Sequence, residues 1–305
     1  MLTSLFALEN QKRKKKGKTK KMKRILALVL TIALLASSML VLGSCGKDEA
    51  KTDWEKIEEQ GYFVCGVTVY EPMNYFVEGD VEDGTWTGFD TDFAKAVAAK
   101  LGVDVKFRKI DWGSKYLELN SGSIDLIWNG YTFGNESDGK SRTEYVDFTH
   151  SYLKNVQVIV TKADRLAELD SKEDFVGLTA VCEAGSSGEG VAKELVGEGN
   201  EKNVKTAGVA SQQDALFKLN AGMADFAVVD YQIAKTQAGV NDLSALAINN
   251  AYKPEDEVYA IGARKGSDLT AKINKAIEEL SADGTLQELA VKYKLTNDLI
   301  PNIGK

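Results

Sequence analysis

Leu119-Asn120-Ser121-Gly122-Ser123-Ile124-Asp125 and Leu219-Asn220-Ala221-Gly222-Met223-Ala224-Asp225 stand one hundred residues apart and share Leu-Asn, a small residue, Gly, and an aspartate three positions on. In each copy the glycine closes a helix signal and the aspartate opens a strand signal. Helix–Gly–strand turns are common, so one pair alone could be chance. The surroundings of the two copies also correspond, which points to two lobes of like construction.

Working outward from the first copy, Tyr62 to Val69 is β-rich, and Phe93, Val97 and Leu101 recur four apart on a helix that Asp90 or Thr91 can cap and Gly102 can end. Val103, Val105 and Phe107 alternate as a strand, Tyr116 to Asn120 reads as a helix, and Ile124 to Trp128 is an apolar strand. Around the second copy the same order returns: Gly177 to Val181, a helix through Val191 and Leu195, a strand at Val204, a helix from Ala215 to Leu219, and a strand from Phe226 to Val229. The fold class is therefore α/β, with two βαβ-type lobes, each on a parallel sheet.

Charge divides the chain. Residues 1–44 hold ten Lys or Arg and one acidic residue, which leaves 28 basic and 44 acidic residues beyond them, a formal charge of −16. So acidic a body repels phosphate backbones and anionic lipid heads, which argues against nucleic acid or a membrane surface as its ligand. The front end reads as an export signal over residues 1–44: a basic run from Lys12 to Arg24, then an apolar run from Ile25 to Leu42. Met22-Lys23-Arg24 would by itself begin such a signal. An uncleaved membrane anchor is the alternative, since about 18 apolar residues is near the spanning minimum. Leu42-Gly43-Ser44-Cys45 resembles a bacterial lipobox, which implies lipidation at Cys45 and a polar tether over residues 45–53. The other cysteines, Cys65 and Cys182, have neither metal nor disulfide spacing, and His150 is the only histidine, so no metal and no cofactor are expected.

Ligands of open parallel sheets sit beyond the carboxyl ends of the strands. The residues there are Tyr70-Glu71-Pro72-Met73, Asn129-Gly130-Tyr131-Thr132, Glu183-Ala184-Gly185-Ser186-Ser187 and Asp230-Tyr231. Aromatic, small hydrogen-bonding and charged groups together suit a small zwitterion. Walker, GxGxxG and GxSxG patterns are lacking.

From about Gly61 to Tyr293 the chain resembles the type II periplasmic-type binding proteins for polar amino acids, extracellular solute-binding family 3. The resemblance rests on Tyr70-Glu71-Pro72, Gly88-Phe89-Asp90, Leu119 to Asp125, Arg142 five residues before Asp147-Phe148, Gly185-Ser186-Ser187-Gly188-Glu189, Ala224-Asp225-Phe226 leading to Asp230, and the tail from Ala276 to Thr285. It implies that Arg142 grips an α-carboxylate, aided by Gly130 and Thr132, and that Asp230 accepts the α-ammonium. It implies further that Ser187, beside Ser186, reaches the carboxylate from the second lobe, while Tyr70 and Trp112 wall the side chain; Asn129 joins the set from its strand end. Read singly, Arg142 could be a solvated arginine, Asp230 a helix cap, and Ser186 and Ser187 a helix start. Glu71 and Glu183 are either rim carboxylates that select a cationic side chain or ordinary exposed acids. The stretch from Gly134 to Ser141 is longer than the family's spacing, so the loop bearing Arg142 must bulge.

The implied organisation is a first lobe of residues 54–155 and 258–305 and a second of 156–257. Crossings are expected from Asn155 to Thr161 and from Val258 to Arg264. The implied activity is capture of a free amino acid by a monomeric lipoprotein on the outer face of the cell membrane, for delivery to the permease subunits of an ABC importer. A cyclohexadienyl dehydratase-like lyase on the same fold, with Glu71 or Glu183 as general acid, and a ligand-sensing accessory protein are the rivals.

Overall fold

The computed structural model describes residues 51–76, 85–134, 136 and 139–304. The segment expected to be an export signal, with its apolar run, and Cys45 lie outside the described residues, among which no helix is long and apolar enough to cross a membrane. From Lys51 onward the chain forms one compact unit.

The first helix among the described residues is α1 (Asp53–Gln60), fixed by a capping box between Thr52 and Glu55 and closed by Gly61 in the left-handed region. The first sheet runs β4 (Asp104–Lys109), β1 (Tyr62–Val67), β5 (Leu126–Ile127), β13 (Gly262–Arg264), β6 (Val146–Phe148). The second runs β11 (Leu246–Asn249), β7 (Leu153–Lys162), β10 (Phe226–Asp230), β8 (Ala180–Val181), β9 (Val204–Lys205). A small hairpin joins β2 (Tyr75–Phe76) to β3 (Trp86–Thr87).

Each sheet contains the same motif. Strands β4, β1 and β5 are parallel with β13 antiparallel beside β5, and β9, β8 and β10 are parallel with β7 antiparallel beside β10. The sheets are thus mixed rather than purely parallel: the expected βαβαβ units are parallel, and each return strand is not. The repeated segment holds equivalent places. Gly122 and Gly222 both have φ of 77°, where an L side chain is strained. Asp125 accepts the Val64 N–H and pairs with Arg264; Asp225 accepts the Thr179 N–H and pairs with Arg165, all at 2.9–3.0 Å.

The connecting helices are α2 (Phe89–Leu101), α3 (Lys115–Asn120), α4 (Ser187–Val196), α5 (Gln212–Asn220) and α6 (Tyr231–Gln237). Gly88, not Asp90 or Thr91, is the N-cap of α2, and no side chain caps it. Asp90 is turned into the protein instead, with a consequence at the site. After β13, α7 (Leu269–Ala282) and α8 (Thr285–Lys292) return to pack on α2. Leu269, Ile273, Ala276, Ile277 and Leu280 form the buried stripe of α7, and each large member stabilises the fold by roughly 1.5–3 kcal/mol.

Strand β7 is the first crossing. Its residues Leu153–Val156 pair with β12 (Asp256–Tyr259), and Gln157–Thr161 pair with β10 of the second sheet. The second crossing is shorter than the sequence suggested: β12 makes it, while Gly262–Arg264 already belongs to the first sheet. Two antiparallel strands therefore join the lobes, a geometry in which small changes of twist swing one lobe against the other.

Candidate functional site

Strand ends of both sheets converge on a cavity of about 250 Å3 of atom-free space, counted to its mouth. Trp112, Asn129, Gly130, Thr132 and Arg142 line it from the first lobe; Glu183, Ser186, Ser187, Gln212 and Asp230 line it from the second. Eight of the ten residues expected from sequence are here. Tyr70 lies one layer behind, its hydroxyl 2.6 Å from that of Tyr259 and its ring against Gly130. Glu71 is exposed and does not line the cavity, and its backbone carbonyl accepts from Thr236. The reason is local: β1 ends at Val67, and the turn closed by Tyr70 and Asn74 aims the next side chain outward.

Arg142 opens a short 3-10 helix, Arg142–Glu144, and is 1% exposed. The long preceding loop does not displace it; within the described part of that loop Glu136 N–H donates to the Lys140 carbonyl and Gly139 N–H to that of Glu136. Its guanidinium lies 5.0 Å from the Tyr131 ring centre and donates to the carbonyls of Thr132 (3.0 Å) and, across the cleft, Gly185 (3.4 Å). Nε is 3.2 Å from Glu136 Oε1 without being aimed at it. Glu136 also pairs with Lys115 at 3.3 Å, and Lys115 donates to the Gly185 carbonyl at 3.1 Å. Burial lowers the Lys115 pKa to about 8 against the pull of Glu136. Neither Lys115 nor Glu136 was singled out from sequence, since a helix-start lysine and a loop glutamate look solvated.

Gly130 has φ of 56°, and a Cβ there would stand 2.6 Å from Tyr70 Cε1. Its N–H donates to Asp90 Oδ2 at 2.6 Å, while Tyr152 donates to Oδ1 at 2.8 Å. Asp90, read from sequence only as a cap and family mark, thus holds the turn that lines the cavity. Gly130→Ala should cost about 1–3 kcal/mol in chemical denaturation, from strain and clash together; a midpoint like the parent's would show that the turn yields freely. Asn129 lines the cavity, yet its amide is engaged by Thr68 and Asn74, so it supports rather than reaches.

Asp230 is the N-cap of α6, but its side chain makes no cap bond. It accepts from Asn155 (2.7 Å), Gln157 and Gln212, while its own N–H donates to Gln212 Oε1 at 2.7 Å. These donors are neutral amides, and Asn155 and Gln157 also donate to Glu257, which accepts from Thr132 at 3.1 Å. A buried carboxylate surrounded this way keeps room for a cation. Gln212 was missed from sequence, although the hundred-residue repeat, carried back from Asn120 and Asn220, sets it opposite Trp112. Ser186 caps α4, accepting from Glu189 N–H and donating to the Glu183 carbonyl. Ser187, the first residue of that helix, faces the cavity at an end that favours anions.

Burial pushes three carboxyls here upward: Asp230 to about 6, with Glu257 adding; Asp90 to about 7; and Glu183 to about 8, with Asp230 adding. Acids with raised folded pKa values favour the fold most below about pH 4, and that contribution is lost as pH rises through 6–8. The melting temperature of the ligand-free protein is therefore expected to fall between pH 5 and pH 8.5. A flat profile would contradict these burials.

Among the described residues no cluster of His, Cys, Asp or Glu is placed to hold a metal, and Cys65 and Cys182 are free and buried. Two α/β lobes on two crossing strands, with the cavity at their strand ends, define a type II periplasmic binding protein. The chain belongs to the bacterial extracellular solute-binding proteins, family 3, whose profile matches residues 63–296. The arginine-binding extracellular protein ArtP of Bacillus subtilis (strain 168) is 30% identical over 266 residues, 87% of this chain and 96% of that one. The L-cystine-binding protein TcyA of the same strain is 28% identical over 288 residues, 89% and 97% of the two. An ABC uptake transporter substrate binding protein from Streptococcus pneumoniae, crystallised with bound histidine, superposes with a TM-score of 0.67 at 32% identity, covering 79% of this chain and 96% of that one.

Proposed function

We propose that the chain captures a free amino acid between a first lobe of residues 54–155 and 258–305 and a second of 156–257, and passes it to the permease of an ABC importer. The observation that carries this reading is one cavity with a buried arginine on one side and, on the other, a buried aspartate whose donors are all neutral. Arg142 offers a planar fork to the α-carboxylate, with Ser187 and the α4 N-terminus opposite, and Asp230 receives the α-ammonium. Trp112 walls the side chain. The names of the relatives, which are binders of arginine and cystine, support the same class of ligand. Calorimetry on residues 51–305 with the twenty amino acids, cystine and ornithine tests it; the expected result is micromolar or tighter binding of at least one, and binding of none would end the proposal.

In this reading Cys45 carries a lipid that keeps the monomeric protein at the outer face of the membrane. Cys45→Ala should yield a chain that incorporates no labelled fatty acid; continued incorporation would refute the anchor. A second reading has one observation in its favour: Glu183 is a buried acid that holds its proton to about pH 8, as a general acid of a lyase would. Turnover of prephenate or arogenate by the purified protein would establish it.

A further inference from the structure

We infer that Glu183 selects the ligand's side chain, and that the side chain it selects is cationic. The inference rests on the binding reading above and goes beyond it. Glu183 follows strand β8, lines the cavity and is 2% exposed. Its Oε1 has no hydrogen-bond partner among the described residues. A buried acceptor left unpaired is unfavourable, so a group entering the cavity with a proton to donate would gain the most by meeting it.

Charge decides which kind of donor. The ionisable groups that face Glu183 are Asp230 on its own lobe and Lys115 and Asp111 on the other; Arg142 lines the same cavity. Lys115 is answered by Glu136 at 3.3 Å. When a zwitterion binds, its carboxylate answers Arg142 and its ammonium answers Asp230. Glu183 is then the acid left over. A neutral side chain leaves it protonated, while an ammonium, guanidinium or imidazolium turns it into one half of a buried, hydrogen-bonded ion pair. Trp112, on the facing wall, gives apolar surface for the stem of such a side chain. Because burial holds the Glu183 pKa near 8 without ligand, a cation must expel a proton at neutral pH, and its binding tightens as pH rises from 6 to 8.

The test is calorimetry with L-arginine, L-lysine, L-ornithine and L-histidine against L-glutamine and L-methionine, on the full chain and on Glu183→Gln. The parent should prefer a cationic ligand, and Glu183→Gln should lower the ratio of cationic to neutral affinity about thirtyfold or more. For the parent at pH 7, titrations in buffers of different ionisation enthalpy should show nearly one proton released with L-arginine, L-lysine or L-ornithine and almost none with a neutral ligand or with L-histidine, whose mostly neutral imidazole takes up the Glu183 proton instead; this readout does not depend on the variant's folding. A neutral amino acid bound best by the parent, an unchanged ratio, or no proton release with L-arginine, L-lysine or L-ornithine would each overturn the inference while leaving amino acid binding intact. Binding of none of the six would overturn it together with the reading it rests on.

Discussion

Asp230→Asn is expected to weaken amino acid binding by roughly thirtyfold to several thousandfold, the usual result of removing one partner from a desolvated charge pair. The ligand's ammonium loses its hydration when the lobes close, and only a carboxylate in contact offsets that loss. Asparagine keeps the size of the side chain but not its charge, and it presents an amide donor to three amide donors, those of Asn155, Gln157 and Gln212. Stability should move the other way or not at all. The raised pKa of Asp230 means that its ionised form is disfavoured in the fold, so above about pH 6 the neutral variant escapes that cost. Calorimetry and thermal melts at pH 8 should therefore show a folded protein, at least as stable as the parent without ligand, that no longer binds. Binding within about threefold of the parent would remove Asp230 from the role.

Such groups differ in how visible they were from sequence. Strand ends following apolar runs, a glycine turn and the paired Leu-Asn-x-Gly segments marked both lobes and most of the cavity wall, because those signals are local. Even there, side-chain direction depends on where the strand stops, and Glu71 points outward because β1 ends two residues before Val69. Asn155, Gln157 and Glu257 were not legible at all. They sit on the crossing strands, where Asn155 and Gln157 share one face by the period of two and Glu257 pairs with Asn155 in register. Nothing in either strand alone tells that β12 lies beside the first half of β7 while β10 lies beside the second. Asp90 was hidden for a related reason: an aspartate at the start of a helix reads as a cap, and only the turn at Gly130, forty residues on, gives it another partner.

Those crossing residues also tie the proposed ligand site to the strands that join the lobes. Asn155 and Gln157 of β7 each donate to Asp230 of the second lobe and to Glu257 of β12, and Glu257 accepts from Thr132 of the first. Charge placed against Asp230 would therefore act directly on the two strands that join the lobes, with no intermediate element.

Arg142→Met should have an effect on binding as large as that of Asp230→Asn. The guanidinium already touches both lobes, donating to Thr132 on its own side and to Gly185 on the other, so its remaining N–H groups lie where a carboxylate would bridge the closed cleft. Methionine fills much of the volume over the Tyr131 ring but offers no donor, and the ligand's carboxylate would be buried against Ser187 and a helix end alone. The fold should survive, because Glu136 keeps Lys115 and the Tyr116 hydroxyl as partners. Lys115, relieved of a neighbouring cation that now lowers its pKa, should hold its proton more firmly. Arg142→Lys separates charge from shape: a point charge on a flexible stem should recover part of the affinity but not the bidentate contact. The expected order by calorimetry is parent, then lysine, then methionine, with the last at least about a hundredfold weaker than the first. If the methionine variant binds within threefold, the carboxylate is held elsewhere, and the helix end at Ser187 becomes its principal site.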